Sequence, residues 1–157
     1  MARVNVGVNP KYLADQHLIA ESVEITVITG GLRKNDFKIK SEIPLQLSLG
    51  KGHINFFKDK LLYLNKRLLE VNYEMIRRDF KPGTNLVDIL NDAPTELIND
   101  WQPTIIDSNI LRQRIISRLI LRKNGKDGQD YYRYKRETIE NIINFSNNLL
   151  NSKLFYV

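Results

Sequence analysis

The sequence predicts an all-α fold: a single compact domain of three main helices with a C-terminal helical extension. Across 54–80, Phe57, Leu61, Leu64, Leu68, Val71 and Met75 recur at three- and four-residue steps, the period of an amphipathic helix. Ile110, Leu111, Ile115, Leu119 and Ile120 give residues 104–122 the same character. At 157 residues, 42% apolar and 27% charged, the chain is long enough for one core and has the composition of a soluble globular protein.

In chain order, Asn9-Pro10 opens the first helix, with Asn as the N-cap and Pro at the first helical position. That helix runs to Gly30-Gly31, a C-terminal break, although the β-branched run VEITVIT at 23–29 disturbs its last turns. Residues 35–52 hold a proline, two glycines and no sustained period, and read as a connecting segment. The long helix from Ile54 to Phe80 stops at Pro82-Gly83. A short helix over 84–92 and a loop through Pro94 and Pro103 lead into the helix at 104–122. There Arg114, Arg118 and Arg122, four residues apart, make a basic stripe. The loop NGKDGQD at 124–130 precedes YYRYKR at 131–136, and 137–151 reads as a last helix.

Several function classes are excluded. Cysteine is absent, which removes disulfides, thiol nucleophiles and most structural zinc sites. No stretch approaches the roughly 18 apolar residues that span a bilayer. The start MARVNVGVNP lacks the apolar core of a signal peptide, so an intracellular protein is expected. The net charge of +6 suits either solubility or a polyanionic partner. Its distribution favours the partner: Lys and Arg concentrate in 51–82 and 101–136, while 83–100 carries four acids and no base.

The stretch LADQHLIAESVE at 13–24 holds the most unusual chemistry. On a helix, His17, Glu21 and Glu24 fall within about 60° of each other. This face is either solvated surface or a site. With two histidines in the chain and no HxxxH or HxxE spacing, a metal is not expected. His17 and His53 suit either capping and packing or a direct role. Tyr131, Tyr132 and Tyr134, interleaved with Arg133, Lys135 and Arg136, suit either a core or a nucleic-acid contact.

Several blocks together resemble the phage-type endonuclease V enzymes, the pyrimidine-dimer DNA glycosylases with abasic-site lyase activity. They are M-A-R-V-N at the start, L-A-D-Q-H-L-I-A-E-x-x-E at 13–24 and L-x-x-G-H-I-N-F-F-K-D-K at 49–60. K-R at 66–67, R-R-D-F at 77–80 and Y-Y-R-Y at 131–134 follow in the family's order. The resemblance covers residues 1–136, with 137–157 as an extension packed on the same domain. It implies an all-α domain whose N-terminal segment threads between the helices, setting the amine of residue 2 beside the first helix. It further implies that this amine, on Ala2 once Met1 is removed, attacks C1′ of a damaged nucleotide and forms a Schiff base that eliminates the 3′ phosphate. Glu24 matches the family's catalytic carboxylate. An α-amino group is independently suited to act as a nucleophile, because at neutral pH it is roughly 300-fold richer in free base than a lysine.

The chain also departs from the family pattern. The family has arginine immediately before and three residues after the catalytic Glu, where this chain has Val23 and Val27. Ser22 replaces an aromatic residue, and Ile110 a basic one. Charge-assisted phosphate contacts beside the site are therefore lost.

The expected function is that of a DNA glycosylase and abasic-site lyase acting on damaged or modified pyrimidines in double-stranded DNA, as a monomer, without metal or organic cofactor. The expected catalytic residues are Ala2 and Glu24. The expected DNA contacts are Arg3, Gln16, His17, Arg33, Lys34, His53, Arg114, Arg118, Tyr132 and Arg133. A non-catalytic DNA-binding relative of the same fold is the alternative. An RNA-binding module is a third reading, without a recognisable single-strand motif.

Overall fold

A computed structural model describes residues 3–83 and 86–123. Ala2, Tyr132, Arg133, the expected last helix and the 137–157 extension lie outside the described residues, as does the side chain of Arg122. The described chain is all-α, with no strand among its residues. Its helices are α1 (Asp15–Lys34), α2 (Gly52–Phe56), α3 (Leu61–Arg77), α4 (Val87–Asp92) and α5 (Ile105–Lys123). The three long ones, α1, α3 and α5, are the expected main helices, and α1 packs on α3.

The boundaries move for physical reasons. Asn9 does cap a helical start, its Oδ1 accepting from Lys11 N, but only a 3-10 turn over Pro10–Tyr12 follows. Leu13 and Ala14 are extended, and α1 begins at Asp15. It then passes through both the β-branched run and Gly30-Gly31. The Thr26 hydroxyl donates to Val23 O at 2.8 Å and that of Thr29 to Ile25 O at 3.1 Å, so these threonines bond to their own helix. The actual stop lies three residues beyond the glycines. Asp36 has φ 52°, while Asp36 N donates to Arg33 O and Phe37 N to Leu32 O, the paired bonds of a Schellman end. α3 ends in the same way: Asp79 has φ 62°, with bonds from Asp79 N to Ile76 O and from Phe80 N to Met75 O. Asp tolerates the left-handed conformation better than most residues, and the following Phe packs against the core in both places. The dipeptide Asp-Phe, not glycine or proline, marks both helix ends.

The helix expected over 54–80 is two helices. Lys60 stands between them with φ −124° and ψ 46°, its ammonium donating to Phe56 O at 2.8 Å and lying 3.9 Å from the Phe56 ring centroid. The bend turns Phe56 and Phe57 onto Tyr63 and Trp101, with ring centroids 5.0–6.1 Å apart. Leu61, Leu64, Leu68, Val71 and Met75 all face the core as the spacing predicts. On α5, Leu111, Ile115 and Leu119 are buried, Ile110 is partly buried and Ile120 is exposed. A capping box between Thr104 and Asp107 starts that helix.

The N-terminal segment lies inside the bundle. Residues 4–8 are buried although they belong to no helix or sheet; Val6 N and Val8 N donate within the segment, to Val4 O and Asn5 O, and side chains satisfy further backbone groups. His53 of α2 accepts from Val4 N at 3.0 Å, and Glu21 of α1 accepts from Asn5 N at 3.1 Å. Arg67 of α3 donates to Val8 O at 2.6 Å. Arg67 and Glu21, both fully buried, also form an ion pair at 2.6 Å. A second buried arginine, Arg78, clasps the 3-10 turn by donating to Leu13 O, Pro10 O and Lys11 O while pairing with Asp15 and Glu74.

Breaking the first clamp leaves a charge stranded in the core. Arg67→Leu is expected to lower the unfolding free energy by about 3–5 kcal/mol, read from the shift in urea midpoint.

Candidate active site

The His17/Glu21/Glu24 face of α1 is divided by its partners. Glu21 is structural: its two oxygens accept from Asn5 N, Asn5 Nδ2 and the Arg67 guanidinium. His17 is buried at the N-terminal end of the same face. Glu24 differs from both. It is 8% exposed, yet its Oε1 has no hydrogen-bond partner among the described residues. Burial raises its pKa above the ordinary glutamate value, against the positive charges of Arg3, the amino terminus and Arg114. A desolvated carboxyl with an unused oxygen holds protons more tightly than a surface one and keeps an acceptor available.

Arg3 and Arg114 act on His53 as well. The structure therefore brings together Arg3 from the N-terminal segment, Glu24 from α1, His53 from α2 and Arg114 from α5. The Arg3 guanidinium donates twice to Leu49 O, at 3.0 and 2.6 Å, which ties the start of the chain to the loop before α2. His53 is completely buried, with Nδ1 2.9 Å from Ser48 O and Nε2 accepting from Val4 N. Nδ1 thus carries the proton, and the neutral ring is the form that fits. Burial, with help from Arg3 and Arg114, lowers its pKa to about 4 against the opposing Ser48 bond. His53 presents no surface to a phosphate in this arrangement; it holds the backbone of Val4.

The other expected contacts are spread along the molecule. Gln16 is exposed at the start of α1. Arg33 and Lys34 are exposed at its far end, where Arg33 pairs with Asp92 at 2.7 Å. Such an exposed pair contributes little and yields readily to a phosphate. Arg114 is half-buried and Arg118, one turn on, is exposed. Beside Glu24, Ile19, Val23 and Val27 stand four residues apart and 37–55% exposed, forming an apolar strip. Sequence reasoning quoted Arg67 and Arg78 within family blocks but gave them no role, because nothing local distinguishes a buried arginine from a surface one.

The family model for pyrimidine dimer DNA glycosylases matches residues 1–88. The chain belongs to that family. The matched region spans the N-terminal thread and α1 to α3, and so includes Glu24, His53 and Arg67; Arg114 and Arg118 on α5 lie beyond it. Membership in the pyrimidine dimer DNA glycosylases supports DNA glycosylase function, DNA binding and a place in DNA repair. Among the described residues, no helix is long and apolar enough to cross a membrane, and no cluster of His, Asp and Glu could hold a metal.

The His53 ring gives a signed pH dependence. Its folded pKa of about 4 lies below the ordinary histidine value of 6.5, so the unfolded chain binds more protons between these values. Its contribution, about 3 kcal/mol, is fully present above pH 6.5 and disappears as pH falls through 4. Urea midpoints measured from pH 7 to pH 4 are expected to show this loss, and His53→Gln to flatten it.

Proposed function

We propose that this glycosylase removes a damaged or modified pyrimidine from duplex DNA and then nicks the strand, with the Ala2 amine as nucleophile and Glu24 as the acid/base group. The observation that carries the reading is Glu24: a nine-tenths buried carboxyl with an unused oxygen and a raised pKa, in the electrostatic range of Arg3. Residue 2 is one peptide from Arg3, about 3.8 Å between Cα atoms. Hydrogen bonds fix Arg3, Val4 and Asn5, the residues that follow it in the chain.

In this mechanism the amine lone pair bonds to C1′ as the N-glycosidic bond breaks, and the base departs with that bond's electrons. Loss of the nitrogen proton and opening of the sugar at O4′ give an imine. Removal of a C2′ proton then expels the 3′ phosphate with its electron pair. A carboxyl whose pKa is raised suits these successive steps. Protonated, it gives a proton to O4′; ionised, it offsets positive charge at C1′ and accepts the C2′ proton. The apolar strip Ile19–Val23–Val27 offers bases a surface where the family's arginines meet phosphate. That substitution favours a substrate other than the usual dimer, or entry at an abasic site. It also motivates the second reading, a relative that binds DNA without cleaving it.

Glu24→Gln keeps the size of the side chain and removes its proton chemistry. It is expected to lower cleavage of abasic duplex at least a hundredfold, within the usual range for an acid/base group, with DNA affinity within a few fold. The same variant is expected to melt higher than the parent at pH 7. A raised carboxyl pKa costs stability as pH rises through it and nothing below the unfolded value, so the two proteins should converge near pH 4. Equal cleavage by both proteins removes Glu24 from the chemistry.

The amine is tested directly. Borohydride is expected to trap a covalent adduct on abasic DNA. Acetylating the terminus, or retaining Met1 and so displacing the amine by about 3.8 Å, should abolish the adduct without unfolding the protein. Tight duplex binding by the processed protein, with no adduct on abasic, irradiated or modified-base DNA, establishes the binding-only relative instead.

A further inference from the structure

With valines at 23 and 27, the cations that hold DNA near Glu24 must come from other segments. A cavity of about 160 Å³ opens one helical turn beyond Glu24. Its wall includes Val27 and Gly31 of α1, Asn35 and Lys38 of the segment that follows, Ile54 of α2 and Lys58 just after it. Among the described residues no carboxylate lines it. Neither lysine ammonium has an ion-pair or hydrogen-bond partner among the described residues, whereas Arg33, Lys60 and Lys66 each pair with an aspartate.

Gly31 adds an independent observation. It sits inside α1, where glycine is unfavourable relative to alanine, and its φ is not positive. A Cβ built there meets nothing within 4 Å; the same holds at Gly30, but only Gly31 lines the cavity. Neither the backbone nor internal packing calls for glycine at this point. An empty approach to bare backbone, at the wall of a cavity with two unpaired cations, suits a ligand that comes close from outside.

We propose that this cavity binds a backbone phosphate of the duplex, with Lys38 and Lys58 as donors and Gly31 as the point of close approach. The inference rests on the glycosylase reading and names an anchor for the same substrate. The cavity holds about five water volumes, room for a phosphate group. Gly31 lies about 10 Å along the helix from Glu24, which corresponds to about three nucleotides of one strand. The carbonyl end of α1 opposes an anion, but three of the oxygens of its last turn already accept hydrogen bonds. Gly31 O accepts from Asn35 Nδ2, Leu32 O from Phe37 N and Arg33 O from Asp36 N. The phosphate contact has thus moved from the exposed face of α1, now apolar, to its end.

The test is binding of an undamaged duplex across a range of salt concentrations. The wild-type protein is expected to give a slope of log K against log salt of about −4 to −5, as for four to six neutralised phosphates. Lys38→Gln with Lys58→Gln is expected to flatten that slope by about one and weaken binding about tenfold near 0.1 M salt. Gly31→Ala is expected to flatten it likewise while raising Tm, a combination that a merely structural glycine does not produce. Wild-type binding with both variants on the same salt line, or a Gly31→Ala loss that follows a fall in Tm, overturns the phosphate site alone. A wild-type protein with no duplex affinity overturns the glycosylase reading and this inference together.

Discussion

Everything near the site depends on the buried pair between Glu21 and Arg67. A segment of five buried residues outside any helix or sheet has backbone groups that water cannot reach, and where its own two turn bonds do not serve them, side chains take the place of a neighbouring strand. Glu21 and Arg67 do most of this, and each completes the other's charge while serving the thread. Such a pair is not a strong source of net stability, since desolvating two ions offsets much of their attraction. Its effect is positional: one register of the N-terminal segment satisfies both charges, and that register sets where the chain's start meets α1.

The same burial acts in opposite senses on the two titratable groups around that start. It pushes the Glu24 carboxyl towards its protonated form and the His53 ring towards its neutral form. The charges of Arg3 and Arg114 oppose the first effect and reinforce the second. For His53 the outcome is a well-satisfied structural part. For Glu24 it is a carboxyl whose burial works against its ionised form, which supports the catalytic role proposed for it.

The outer surface of α1 is independent of the contacts that build the core. The clamp, the thread and both Schellman ends are maintained by interactions inside the bundle. The exposed residues beside Glu24 are free to change, and here they form an apolar strip that ends at a glycine and two lysines without an ion-pair partner among the described residues. In the proposed complex, DNA would be met by apolar surface close to the carboxyl and by charge one to two turns away. That order differs from a helix that presents arginine on both sides of its catalytic residue.

Sequence alone determined the helical class, the core positions of α3, three of the five expected on α5, the place of Glu24 on a polar face and the resemblance that names the family. These rest on local periodicity or on blocks of contiguous residues, which carry their meaning without a partner. It misjudged the ends of α1 and the continuity of 54–80, where Asp-Phe closures and a lysine bonded to Phe56 O override glycine and spacing. Only the tertiary structure decided the fates of three polar residues around the start of the chain. Glu21 became a clamp because Asn5 and Arg67, 16 and 46 positions away, converge on it. His53 became a backbone holder because Val4, 49 positions away, donates to it. Glu24 kept an oxygen without a partner because no described donor reaches it, and no periodicity in a sequence records which donors a fold leaves out of reach.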